Sequence, residues 1–261
     1  RPSRPMDPLL STEVGRRELL LGNEAIVRGA LEASVGLVTG YPGTPASEIG
    51  DTFARLHQSL GIHFEYSVNE KVALELAFGA SLTGVRSLTS MKHLGLTYAG
   101  DPLSTMPYIG VVGGMVIVSA ADPGCLTSPN EQDQRHLGRM LGLPTLDPAT
   151  PEEARRMTAW AFELSEACEL PVLIRITTRV CHTRAPVAFG PLGHRRGRGT
   201  FVKNPKRFLP TPANARRLRE ELQRRLDVAC RLVTASPFNA TLKGKGPKAL
   251  VAAGATRNVV Q

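Results

Sequence analysis

Two short stretches carry residue types that could do chemistry: Gly40-Tyr41-Pro42-Gly43-Thr44-Pro45-Ala46-Ser47 and Ser67-Val68-Asn69-Glu70-Lys71. Each stands where a strand pattern runs out and a helix pattern begins, which in an open parallel α/β sheet is the edge that binds ligands. Gly43 lacks a Cβ and Pro42 and Pro45 fix their φ angles, so the turn brings backbone close to whatever lies there. Glu70 adds one carboxyl to that edge. Taken alone, each stretch has a plainer reading. The first is an ordinary tight turn, and the second is a helix cap, since Ser67 and Glu70 stand at capping-box spacing. Lys92, His93 and Asn130 fall at the ends of two later strand patterns.

The elements that must position these residues follow from hydrophobic spacing. Ala25, Ile26, Ala30 and Leu31 predict a helix over residues 24–34, and residues 35–39 an apolar strand. Ser47 is the expected cap of a helix over 48–60, which Gly61 ends. Strands are expected at 63–68, 85–90, 115–120, 144–146 and 171–177. Between them the pattern predicts an Ala-rich, largely buried helix over 70–82, a helix over 94–103 with Gly95 and Gly100 inside, and one over 134–141. Thr150-Pro151-Glu152-Glu153 is a strong start for a helix running to residue 169. Strands alternating with helices predict an α/β domain over residues 19–185, built on a doubly wound, mostly parallel sheet of about six strands.

Residues 1–18 are expected to form a mobile leader, 186–212 a basic linker, and 213–261 the beginning of an incomplete second domain. That last portion reads as a charged helix over 213–232 and one buried strand over 248–253. A single strand cannot make its own sheet, so a further domain or another molecule is expected to complete it.

Composition narrows the function classes. With 42% hydrophobic and 21% charged residues, the chain has the make-up of a soluble globular protein. Its most apolar run, 108–121, is short of the ~20 residues a spanning helix needs, and the amino end lacks a signal-peptide core. No membrane association and a cytoplasmic location are the expectations. Cys125, Cys168, Cys181 and Cys230 are far apart, with no Cys-x-x-Cys pair, and read as buried or incidental thiols. His57, His63, His136, His182 and His194 show no metal-ligand spacing, so no metal site is expected in this chain. The net charge of +9 is carried by eleven Lys and Arg residues between Pro191 and Arg225, set against Glu220 and Glu221, and the remainder is balanced. Phe201 and Phe208 are the only stacking candidates in that segment, so a solvated linker helix is expected rather than a nucleic-acid surface.

The strand-end residues resemble, in order and spacing, the thiamine diphosphate-dependent 2-oxoacid:ferredoxin oxidoreductases, most of all the amino-terminal part of the alpha subunits of the indolepyruvate:ferredoxin type. The matching stretches are Gly40 to Ser47, Asn69-Glu70-Lys71 with Ala77-Phe78-Gly79-Ala80-Ser81, Met91-Lys92-His93-Leu94-Gly95-Leu96, and Asn130-Glu131-Gln132-Asp133. They cover residues 19–180, and 248–260 more weakly resembles the start of the family's next domain. Two departures fall in one loop: Ala121-Asp122-Pro123 stands where Asp-Asp-Pro is usual, and Pro129 replaces a polar residue.

The resemblance implies a thiamine diphosphate pyrimidine-binding fold in which Glu70 is catalytic and hydrogen-bonds N1′ of the cofactor's aminopyrimidine ring. It assigns Tyr41, Pro42, Gly43 and Thr44 to cofactor binding. It places Thr44, Lys92, His93 and Asn130 near the substrate, while a hydrogen-bonded structural histidine is an equal reading for His93. The implied partners are a 2-oxoacid such as indolepyruvate, coenzyme A, ferredoxin, a diphosphate-binding domain and a beta subunit, in an oligomer. Mg²⁺ and 4Fe-4S clusters belong to the full enzyme. Their Gly-Asp-Gly and Cys-x-x-Cys motifs are absent from this chain, which is therefore expected to be inactive alone. Two other readings stay open: a split remnant acting as a scaffold subunit, and a nucleotide-binding α/β module with a basic nucleic-acid-contacting tail.

Overall fold

The computed structural model describes residues 7–194, 198–244 and 246–260; the first six residues of the expected leader, and Arg195 and Arg196 of the basic segment, lie outside the described residues. After a 3-10 turn, Pro8–Leu10, the chain runs β1 (Arg17–Leu21), α1 (Gly22–Glu32), β2 (Leu37–Gly40), α2 (Ser47–Leu60), β3 (His63–Tyr66) and α3 (Glu70–Leu82). β4 (Ser87–Lys92) leads directly into two helices, α4 (His93–Tyr98) and α5 (Gly100–Ile109). β5 (Met115–Ala121) leads into a long loop and α6 (Gln134–Leu141). Then come β6 (Thr145–Leu146), α7 (Pro151–Cys168), β7 (Val172–Thr177), α8 (Thr178–His182), β8 (Arg184–Ala188), α9 (Pro205–Phe208), α10 (Pro212–Thr234) and α11 (Arg257–Val260).

Six strands form one parallel sheet in the order β3-β2-β4-β5-β7-β6, the doubly wound α/β arrangement that the alternating elements predict. Successive side chains of a strand point to opposite faces, and both faces are covered. Val116 and Val118 of β5 join Ile26, Ile49, Phe53 and Phe162 under α1, α2 and α7. Met115 and Ile117 join Leu74, Leu96, Leu103 and Met106 under α3, α4 and α5. Burial on both sides is why β5 and β7 read as unbroken apolar runs. From β2 the chain moves outward to β3, then crosses back to β4. The carboxyl ends of β2 and β4 therefore flank the topological switch point, where such sheets bind ligands.

The leader differs from expectation. Leu9 is buried, and Arg28, with no exposed surface, donates from Nη1 to the carbonyls of Leu9 and Ser11 (both 2.8 Å). Its Nη2 donates to Gly190 O at 2.6 Å and its Nε to Glu32 Oε1 at 2.8 Å. A buried guanidinium must satisfy its whole fork of donors, and here it does so by tying residues 9–11 and 190 onto α1. Beside it, β1 pairs antiparallel with β8, a small second sheet that no local pattern predicts because its strands lie far apart in the chain.

The carboxyl-terminal third also differs. The expected solvated helix, α10, docks through Leu218, Leu222 and Ala229, and Arg225 reaches Glu169 and the carbonyl of Tyr108. Residues 248–253 carry no strand and pair with none among the described residues, and Leu250 and Val251 stand exposed. An extended segment becomes a strand only beside another strand's edge. Among the described residues no helix is long and apolar enough to cross a membrane.

The Arg28 clamp makes a stability prediction. Arg28→Leu removes the donor to the carbonyls of Leu9, Ser11 and Gly190, while Glu32 keeps Arg155 and Gly190 N, and is expected to cost ~3–5 kcal/mol in denaturant unfolding; a loss below ~1 kcal/mol, the scale of an exposed pair, would show the clamp to be incidental.

Candidate functional site at the sheet's switch point

The first wall of the site is the turn after β2. A Cβ on Gly40 would lie 2.9 Å from Ser90 O and 3.0 Å from Ser90 Oγ, so this position needs glycine for β2 to run beside β4. Tyr41 N then donates to Ser90 O at 3.2 Å and Ala46 N to Gly43 O at 2.8 Å. Asn23, at the start of α1, donates from Nδ2 to Pro45 O (2.7 Å) and to Glu48 Oε2 (2.6 Å), clamping the turn from behind. The Thr44–Pro45 peptide is cis. Backbone is held while the side chains of Tyr41, Pro42 and Thr44 stay exposed. Ala46, not Ser47, is the cap residue of α2.

The second wall is the start of α3. Asn69, not Ser67, caps this helix, its Oδ1 accepting from Val72 N at 3.0 Å. Glu70 is thus the first helical residue, and its carboxyl is not used in the predicted capping box. The carboxyl is half-buried and makes no hydrogen bond or ion pair among the described residues. It lies against α4 at Gly95, where a Cβ would come within 2.5 Å of Glu70 Oε1 and 2.7 Å of Cδ. A helix-interior glycine costs ~1 kcal/mol relative to alanine, and here it makes room for this carboxyl.

The third wall is the end of β4. The stem of Lys92 packs on the turn, since a Cβ on Gly43 would lie 3.3 Å from Lys92 Cβ and 3.8 Å from Cδ. Lys92 Nζ donates to Thr127 O at 2.9 Å. His93, with no exposed surface, bonds through Nε2 to Asn130 O at 3.0 Å, while its Nδ1 has no partner among the described residues. A carbonyl can only accept, so Nε2 carries the proton. Thr97 Oγ1 donates to Gln132 Oε1 at 2.5 Å, a further tie between α4 and the loop. Of the residues predicted near a substrate, Lys92 packs its stem on Gly43, the neighbour of exposed Thr44. His93 instead holds the loop from below, and Asn130 contributes its backbone carbonyl while its side chain is exposed.

Sequence reasoning missed the residue that shapes this loop. Asp122, 1% exposed, accepts from Thr127 N (2.7 Å), Ser128 Oγ (2.6 Å), Thr127 Oγ1 (3.2 Å) and Thr178 Oγ1 (3.0 Å). Burial acts to raise its carboxyl, and the bonds from Ser128, Thr127 and Thr178 outweigh that, holding it well below the usual carboxylate range. An aspartate followed by Thr-Ser in a strand-end loop was the available signal. Tyr41, Val68, Tyr98 and Leu126 stand exposed around these walls. A separate cavity of about 790 Å³, lined by Leu31, Leu37, His63 and Val85 among others, opens at the strands' opposite, amino edge and gathers none of these groups. Among the described residues no group of three or more His, Cys, Asp or Glu is arranged to hold a metal ion.

Comparison with known proteins puts the same residues in a family context. The family described as "Pyruvate flavodoxin/ferredoxin oxidoreductase, thiamine diP-bdg" matches residues 28–219. The chain is 44% identical over 257 residues to the indolepyruvate oxidoreductase subunit IorA of Methanothermobacter marburgensis, covering 98% of this chain and 42% of that one. It is 30% identical over 185 residues to the 2-oxoglutarate synthase subunit KorA of Archaeoglobus fulgidus, covering 67% of this chain and 53% of that one. The chain therefore spans less than half the length of the first of these relatives. Among solved structures it is similar to the 2-oxoglutarate:ferredoxin oxidoreductase from Magnetococcus marinus, with a TM-score of 0.70 and 16% identity over 94% of this chain and 50% of that one. At that identity the likeness speaks for the fold.

The contact between Glu70 and Gly95 is open to test by a pair of substitutions. Gly95→Ala is expected to lower stability by ~1–3 kcal/mol, because overpacking outweighs the gain in helix propensity. Glu70→Ala in the same chain should restore most of that loss in urea unfolding. A Gly95→Ala protein as stable as the parent would show that the glycine is not there for the carboxyl.

Proposed function

The chain belongs to the pyruvate flavodoxin/ferredoxin oxidoreductase thiamine diphosphate-binding family, and from that premise we propose that Glu70 and the turn 41–44 form the pyrimidine-binding wall of a thiamine diphosphate site in a 2-oxoacid:ferredoxin oxidoreductase. The observation that carries this reading is the Glu70 carboxyl, half-buried, cradled by Gly95 and without a partner among the described residues. A carboxyl left free at the ligand-binding edge of the sheet suits a ring nitrogen of the cofactor as its partner. When bound, thiamine diphosphate brings its own base and its own nucleophilic carbon to oxidative decarboxylation of the oxoacid.

The protein's part is to hold and orient. Glu70 would hydrogen-bond N1′ of the aminopyrimidine, while the Tyr41-Pro42-Gly43-Thr44 turn would offer backbone at close approach. The Thr44 hydroxyl would face the oxoacid carbonyl, and Lys92 would supply a positive charge for the substrate carboxylate. His93 keeps α4 and the loop in register. Exposed Tyr41, Val68, Tyr98 and Leu126 suit a further wall, from outside this chain, that closes over the site and excludes water. In this reading a diphosphate-binding domain with Mg²⁺ supplies that wall, and 4Fe-4S clusters and a beta subunit carry electrons to ferredoxin. Coenzyme A takes the acyl group, and the chain by itself is inactive. The names of the 40–48% identical relatives favour indolepyruvate or another aryl pyruvate as the substrate.

The test is turnover of the assembled enzyme with indolepyruvate, coenzyme A and ferredoxin. Glu70→Gln keeps the shape but changes the proton chemistry at the ring nitrogen, and is expected to lower kcat by about 10²-fold or more. Equal turnover by parent and variant would remove Glu70 from the mechanism.

A further inference from the structure

Lys92 carries its charge on a long flexible stem, and in this structure that freedom is removed from an unexpected side. Its Nζ donates to the carbonyl of Thr127, and its stem lies along Gly43. Thr127 is itself fixed through both N and Oγ1 by Asp122 Oδ2, which also takes Ser128 Oγ, while Asp122 Oδ1 takes Thr178 Oγ1 from the start of α8. The backbone closes the turn as well: Cys125 N donates to Asp122 O at 3.1 Å, and Cys125 adopts a left-handed conformation with φ of 52°. Among the described residues every donor to the Asp122 carboxylate comes from residues 127, 128 or 178, so its chemistry is spent on the shape of the loop.

The consequence reaches the site through one atom, the Thr127 carbonyl oxygen. That oxygen takes one N–H of Lys92 and leaves the other N–H bonds of the ammonium without a partner among the described residues. We infer that Asp122 is a positioning residue: by folding residues 122–128 it holds the Thr127 carbonyl where it fixes the ammonium of Lys92, whose stem packs on Gly43, presenting a preorganised positive charge to the carboxylate of the incoming 2-oxoacid. This rests on the reading of the site given above. Asparagine weakens this set: its amide oxygen can face Thr127 and Ser128 while its NH₂ donates to the Thr178 hydroxyl, but the charge that strengthens the three bonds on Oδ2 is lost.

The experiment uses the assembled enzyme, with steady-state kinetics in the oxoacid and calorimetric binding of thiamine diphosphate. Asp122→Asn is expected to raise KM about tenfold while kcat at saturation changes less than about threefold, the pattern of lost uniform binding. Ser128→Ala, which keeps the carboxylate and removes one bond, is expected to raise KM about threefold by the same route and to fold where the first variant fails. In a Lys92→Ala background, adding Asp122→Asn or Ser128→Ala should shift KM less than about twofold further, because the residue they position is gone.

Effects that multiply with Lys92→Ala would overturn the inference, since a merely structural role acts independently of the lysine. So would a KM unchanged by Ser128→Ala and by any folded Asp122→Asn protein, or a KM unchanged by Lys92→Ala itself. Cofactor binding keeps the two levels apart. Normal thiamine diphosphate affinity with a failed KM pattern refutes the role of Asp122 alone, whereas a parent enzyme that binds no thiamine diphosphate refutes the reading of the site.

Discussion

A carboxyl group pressed against the backbone of a neighbouring helix, without a partner among the described residues, is the interaction on which the site turns. Glu70 can occupy its place because Gly95 has no side chain, and α4 can approach α3 there because β4 ends directly in α4. The carboxyl is half-buried and has no hydrogen-bond or ion-pair partner among the described residues, so it is left free to take one from a ligand.

Around that carboxyl the supports are layered. Asn23 clamps the turn after β2 from the start of α1, and His93 ties α4 to the Asn130 carbonyl. Asp122 gathers the loop that tops β5. Each reaches at least one backbone group, so the exposed side chains of Tyr41 and Thr44 and the half-buried Lys92 are carried by tied backbone rather than by free loops. The sheet order supplies the reason they meet at all: the reversal between β2 and β4 opens the crevice, and the three loops border it.

Much of this was legible in the sequence where local periodicity decides the outcome. The Val and Ile runs of β5 and β7, the Thr150 cap of α7 and the Gly61 stop of α2 all stand where spacing predicts them, within a residue or two. What local pattern could not supply is long-range. Nothing local marks Arg28 as buried, because its carbonyl partners lie at residues 9, 11 and 190. The pairing of β1 with β8 joins opposite ends of the domain, and residues 248–253 have strand composition without a neighbouring edge. At the site, Glu70 was found from its place after a strand, but its cap was misread, because Ser67 and Asn69 are both good cap residues and only geometry chooses between them. For His93 two readings stood level, and the bond to Asn130 favours the structural one.

The central claim is that the Glu70 carboxyl meets the aminopyrimidine of thiamine diphosphate, and the most direct measurement is a crystal structure of the assembled enzyme with that cofactor bound. The account predicts a Glu70 oxygen within hydrogen-bond distance of N1′, roughly 2.6–3.0 Å, with the Tyr41–Thr44 turn against the same ring. An aminopyrimidine ring lodged elsewhere, or a Glu70 carboxyl turned away to another protein group, would contradict it.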